Sequence, residues 1–203
     1  MKKEFFKLHV YDIVYCIGFM AAVFFMIWKS RYGFGENDEA FYLTLPFRLF
    51  KGDSLFSDDY HIAQLFSFLT FPIYAIYRTL VKTNEGIILN FRYIYIFCQA
   101  LSAVFIYRKI KKINRIGAVV ASLVFLLYSP FNLMTLSYNT ICLMTFTLAL
   151  LLYAFQENEL EDYVSGLLYA MAVLCCPYLA LSYFVLTLIV VFFCIKHKKS
   201  SLF

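Results

Sequence analysis

Seven apolar runs succeed one another along this chain, at 10–28, 62–81, 88–107, 116–131, 138–155, 163–176 and 178–195. The longer ones match the ~20 residues that a helix needs to cross ~30 Å of hydrocarbon. The chain is 63% hydrophobic and 15% charged, whereas a soluble domain carries about 25% charge. A single transmembrane domain over 1–203 is therefore expected, built as an all-α polytopic bundle. The net charge of +5 does not indicate a nucleic-acid partner. Its basic residues cluster at the ends of apolar runs, where membrane topology accounts for them. The six cysteines form neither a CxxC pair nor a metal-binding spacing with histidine, and read as small apolar side chains.

Positive charge orders the crossings. The run 163–195 is too long for one passage at 1.5 Å per residue, so a hairpin is expected near Cys176-Pro177-Tyr178. The run 62–81 carries Pro72, with Gln64, Ser67 and Thr70 on its first half. If it crossed with the rest, 12 Lys and Arg would lie outside and 6 inside. If it lies along the interface, the basic stretches 108–115 and 196–199 join Lys2, Lys3 and Lys7 inside, and the split becomes 11 inside to 7 outside. The positive-inside rule favours the second arrangement. It gives about six crossings, cytoplasmic termini and a long external loop over 30–87. The run 10–28 is read as an uncleaved anchor, because no small-residue cleavage site follows it.

The loop opens with a polar, acidic stretch from Glu36 to His61. Asn37 is a candidate N-cap for a helix over about 40–50, with Asp38 and Glu39 in its first turn. Phe41, Leu45 and Leu49 give that helix an apolar stripe suited to the membrane surface. Pro46 is a candidate kink and Gly52 a candidate stop. The macrodipole alone would favour acidic residues at that helix start. Asp58 and Asp59 suit a solvated turn, Arg48 can snorkel to headgroups, and Tyr138 and Asn139 suit a helix cap.

Several of these stretches, in this order, resemble the GT-C superfamily of membrane glycosyltransferases, which includes protein O-mannosyltransferases and aminoarabinose transferases of lipid A. Asp38-Glu39-Ala40-Phe41-Tyr42 is similar to the family's first external acidic motif, and Arg48 to Asp53 to the segment after it. His61 to Leu80 resembles a juxtamembrane helix, Asn90-Phe91-Arg92 the start of the second span, and Leu127 to Phe131 the end of the third. Two positions depart from the pattern. Asn139 stands where a second acidic residue is usual, and Cys175-Cys176-Pro177 stands where many relatives have lysine before proline.

The resemblance implies sugar transfer from a polyprenyl-phosphate donor to an acceptor at the outer membrane face. Asp38 is then the expected base, with Glu39 second. Arg92, His61 and Arg48 are candidates for the phosphate, with Tyr138 and Asn139 near the ligand. Asp58 and Asp59 are candidates for a divalent cation or for orienting the acceptor. The resemblance covers only the N-terminal membrane part of such an enzyme. The competing expectation is a truncated or non-catalytic multi-pass protein that binds the lipid carrier or serves transport.

Overall fold

A computed structural model describes residues 10–33, 36–58, 61 and 63–200, without the side chains of 36, 37, 186, 190, 193, 194 and 196–200. Among these residues there are eight α-helices and no strand: α1 (Val10–Lys29), α2 (Glu36–Lys51), α3 (Ser67–Val81), α4 (Ile87–Ile110), α5 (Arg115–Leu127), α6 (Tyr138–Ala154), α7 (Glu159–Cys175) and α8 (Tyr178–Ser200). Short 3-10 turns sit at Gln64–Phe66 and Pro130–Asn132. Local chemistry sets several boundaries. Asn114 and Asn158 cap α5 and α7 through their side chains. Ser137 and Thr140 form a reciprocal capping box at the start of α6. Gly52, at φ +98°, closes α2, and Pro46 sits inside that helix without ending it.

α1 and α4 run antiparallel, because they touch at both ends. The Asp12 carboxylate near the start of α1 accepts from Tyr107 and Lys111 at the end of α4. Arg92, in the second turn of α4, donates to the carbonyl of Ser30 just past α1. The chain therefore leaves α1 and enters α4 at the same end of the bundle. The described residues between them begin and end their path at that end. Tyr42 of α2 packs on Phe66 and on Tyr138, at the start of α6. Phe47 and Phe50 of α2 pack on Tyr74 of α3, whose hydroxyl donates to Asn84 just before α4. The α2–α3 pair thus covers one end of the bundle, and α3 does not carry the chain to the other.

α5 packs along α1 and α4, and α6 pairs with α7 through the hairpin over 155–158. The Ser165 hydroxyl donates to the Ala149 carbonyl and sets the register of that pair. The main core runs from Met26 through Phe91, Tyr95 and Leu126 to Met144 and Cys175. The chain turns at Cys176-Pro177 as its sequence anticipates.

Two helices, α1 and α4, are long and apolar enough to cross a membrane. They reach about 30 and 36 Å at 1.5 Å per residue. The stretch expected to cross at 116–131 is shorter: α5 has 13 helical residues, about 20 Å, before Ser129-Pro130 breaks it. α2 is longer than expected, beginning at Glu36, so Asn37 lies within the helix rather than capping it.

Candidate functional site

The sequence places Arg92 one turn into an apolar helix, where its charge needs a partner. Glu39 supplies it. Arg92 Nε donates to Glu39 Oε1 at 2.6 Å, and Nη2 donates to Oε2 at 2.5 Å. This fork-to-fork geometry is the strong form of an arginine–carboxylate pair. Nη1 also donates to the Ser30 carbonyl, and Nη2 to that of Gly33 at 2.9 Å. Glu39 is 2% exposed and Arg92 8%. One guanidinium thus ties together the end of α1, the loop after it, and the first turn of α2. Gly33 adopts φ +76°, a conformation natural to glycine, and so turns its carbonyl to the arginine.

Beside this clasp lies a cleft of about 170 Å³, lined by Lys29, Tyr32, Gly33, Glu39, Arg92 and Asn132 among others. Lys29 Nζ donates to Asn132 Oδ1 at 2.8 Å across it. Phe131 and Asn132 both sit in the left-handed region, at φ 55° and 58°. Asparagine tolerates that region, while phenylalanine is an outlier there and costs on the order of 1 kcal/mol. Deeper in the bundle, Gln99 of α4 donates to the carbonyls of Phe125 and Tyr128, at 2.6 and 3.1 Å, and holds the end of α5 in place.

A second group stands at the same end. The capping box fixes Tyr138 and Asn139 in the first turn of α6. There they meet the hydroxyl of Tyr42, which burial pushes above its ordinary range, with Tyr138 and the Asp38 charge adding to the shift. His61 packs against Phe41 and Tyr138, with ring centroids 4.9 and 6.0 Å apart. Its Nδ1 accepts from the Ala63 amide at 3.2 Å. Asp38 is exposed, and its carboxylate makes no hydrogen bond with a protein group among the described residues. The two neighbouring acids therefore differ. Glu39 points inward to Arg92, while Asp38 stays in solvent on the Tyr42 side of the helix.

Arg48, in the last turn of α2, holds the loop that follows the helix. Its Nε donates to Asp53 Oδ2 at 2.6 Å, and its Nη2 to the Asp58 carbonyl at 2.7 Å. Asp58 Oδ2 accepts from the Ser54 amide at 2.7 Å, which closes a local turn. Asp59 lies outside the described residues. Among those described, no three His, Cys, Asp or Glu side chains gather to hold a metal ion.

Of the residues singled out in the sequence, His61, Tyr138 and Asn139 come together around Tyr42, whose hydroxyl feels the Asp38 charge, Glu39 and Arg92 form the adjacent clasp, and Arg48 and Asp58 serve the loop. Lys29 and Asn132 were not anticipated. Lys29 reads as one more basic residue flanking a span, and Asn132 as a turn former. Only the fold brings them 103 positions apart into contact. No protein-family model, curated protein or solved structure matches this chain.

Proposed function

We propose that the chain is a multi-pass membrane protein of GT-C type, which transfers a sugar from a polyprenyl-phosphate carrier to an acceptor at the outer face. The membrane reading is supported by where apolar and polar groups lie. Phe24, Phe97, Val120, Tyr153, Leu167 and Leu181 are exposed, while Gln99, Ser102, Ser122, Thr145 and Ser165 are buried. A soluble protein rarely exposes so much apolar surface. In this reading α1, α4, α5 with the turn after it, α6, α7 and α8 make six crossings, both termini are cytoplasmic, and α2–α3 lies along the outer interface.

The observation that carries the catalytic part is Asp38, a solvent-facing carboxylate at the cleft end of the bundle. It takes the proton from the acceptor hydroxyl as that oxygen bonds to the anomeric carbon. The sugar–phosphate bond breaks, and the lipid phosphate leaves with the electron pair. Glu39 and Arg92 shape the cleft without touching the reacting atoms. Asp38→Asn is expected to lower transfer at least ~100-fold at unchanged protein level. The assay is radiolabelled polyprenyl-phosphate sugar added to membranes holding only this chain. Normal turnover in the variant would remove Asp38 from the reaction.

A non-catalytic carrier-binding role is the second reading. It is favoured by Asn139, which brings no charge to the site, and by the neutralisation of Arg92 by Glu39. Binding of the labelled donor by the parent chain, without transfer, would establish it.

A further inference from the structure

We infer that Lys29 and Asn132 form the seat for the phosphate of a long-chain lipid phosphate, with its apolar chain in the groove between α1 and α5. The inference deepens the carrier-handling role proposed above and requires only the membrane placement, not sugar transfer.

Among the described residues, charge matching leaves Lys29 without a carboxylate, as it leaves Arg31 and Lys82, and of these three Lys29 is the one that lines the cleft beside Arg92. Arg92 is matched by Glu39, Arg48 by Asp53, Lys109 by Glu157 and Glu161, and Lys111 by Asp12. Lys29 instead meets the neutral amide of Asn132 and has no carboxylate within 4 Å among the described residues. It keeps its full charge and two of its three donors. Asn132 accepts through Oδ1, so its amide N–H groups remain as donors beside the ammonium. An ammonium and an amide presented together suit phosphate oxygens.

Position supplies the rest. Lys29 and Asn132 line two cavities at once. One is the cleft beside Arg92. The other, about 250 Å³, is bordered by Phe25 and Met26 of α1 and by Leu127 and Tyr128 at the end of α5. The pair therefore stands where a cleft that holds the charged Glu39 and Arg92 meets a groove edged by the exposed Phe25, Leu127 and Tyr128. An amphiphile whose phosphate joins a polar head to a hydrocarbon chain fits that junction, and free phosphate uses only half of it. The two consecutive left-handed residues Phe131 and Asn132 hold the asparagine at this junction.

The test measures binding of radiolabelled polyprenyl phosphate, without sugar, to the full chain in phosphatidylcholine nanodiscs. Lys29→Gln is expected to weaken binding at least about tenfold, Asn132→Ala by about threefold, and Lys29→Arg by less than about threefold. Lys82→Gln, an exposed lysine beyond α3, serves as control and keeps parental binding. Unlabelled polyprenyl phosphate displaces the label, while equal concentrations of inorganic phosphate or added phosphatidylglycerol do not. Parental affinity in a folded Lys29→Gln overturns the assignment, as does displacement by inorganic phosphate as effective as by the lipid. Should Lys29→Gln not fold, Lys29→Arg and Asn132→Ala decide it, and parental affinity in Asn132→Ala counts against it. Lys29-dependent binding without transfer would dismiss the transferase reading alone. Transfer by a Lys29→Gln variant with parental donor affinity would dismiss the phosphate seat alone.

Discussion

The two ends of the bundle handle charge in opposite ways. At the end where α6 turns into α7, Lys109 donates to Glu157, to Glu161 at 2.6 Å and to the Phe155 carbonyl. Lys112 adds to Glu157, and Lys111 joins Tyr107 on Asp12. These lysines are saturated by carboxylates, and the helices are stitched shut. At the cleft end, the Arg92–Glu39 pair is deeply buried, yet Lys29 and Asp38 beside it lack partners of opposite charge among the described residues. Both ends are ionic, so charge alone does not mark a site. The difference lies in which charges are already spent. The far end uses its ions to close the fold, while the cleft end buries one pair and leaves Lys29 and Asp38 beside it for chemistry.

The largest effect should come from breaking the buried pair. Glu39→Ala strands the Arg92 charge where little water reaches it, which costs about 3 kcal/mol. Replacing both partners, as Glu39→Gln with Arg92→Met, should recover much of that loss, because no unpaired charge stays inside. Thermal unfolding in detergent or nanodiscs measures both. Equal losses in the single and double variants would show that the pair is not what joins α1, α2 and α4.

Lys109→Ala should do less, despite removing three contacts at once. Its carboxylate partners are partly exposed and return to water when released. The same exposure makes this end sensitive to acid. Hydrogen bonds from Lys112, and then Lys109, hold the Glu157 carboxyl below its ordinary 4.5. A depressed folded value gives stability that is complete above the ordinary value and lost as the pH falls through the depressed one. Lys109 holds the Glu161 carboxyl down as well, so hydrogen exchange over 155–161 should rise only below pH 4.5, Glu157→Gln should weaken that dependence, and Glu157→Gln with Glu161→Gln should remove it. The 36–51 segment should not share it, and acid-induced exchange of equal size there would erase the contrast between the ends.

Much of this arrangement is legible in the sequence, for identifiable reasons. Apolar period and length give the helices. The polar first half of 62–81 marks it off from the longer runs, and α3 begins and ends at one end of the bundle. Asp38, Tyr138, Asn139 and His61 share an end because successive long helices alternate in direction. What pattern does not reveal is pairing across long separations. Asp38 and Glu39 are equivalent as neighbours in a string, and only the helical rotation between them turns one toward Arg92 and the other to solvent. Lys29 is indistinguishable from a topological lysine until Asn132 is brought beside it. The length of α5 is misjudged because Leu127-Tyr128-Ser129-Pro130-Phe131 continues the apolar run, while its proline and left-handed phenylalanine end the helix.

The smallest effects give the finest comparison, between two glycines with equal room and opposite backbones. An added Cβ meets nothing within 4 Å at Gly33 or at Gly166. Packing therefore predicts the same outcome at both. Backbone geometry predicts opposite signs. Gly33 sits at φ +76° and hands its carbonyl to Arg92, so Gly33→Ala should destabilise by about 1 kcal/mol. Gly166 lies within the regular helix α7, where alanine is the better helix former, so Gly166→Ala should stabilise by about 0.5–1 kcal/mol. Paired unfolding curves measure both shifts. A Gly33→Ala variant as stable as the parent would mean that the loop after α1 reaches Arg92 without its left-handed turn. The Gly33 carbonyl would then be dispensable to the Arg92 clasp beside the cleft.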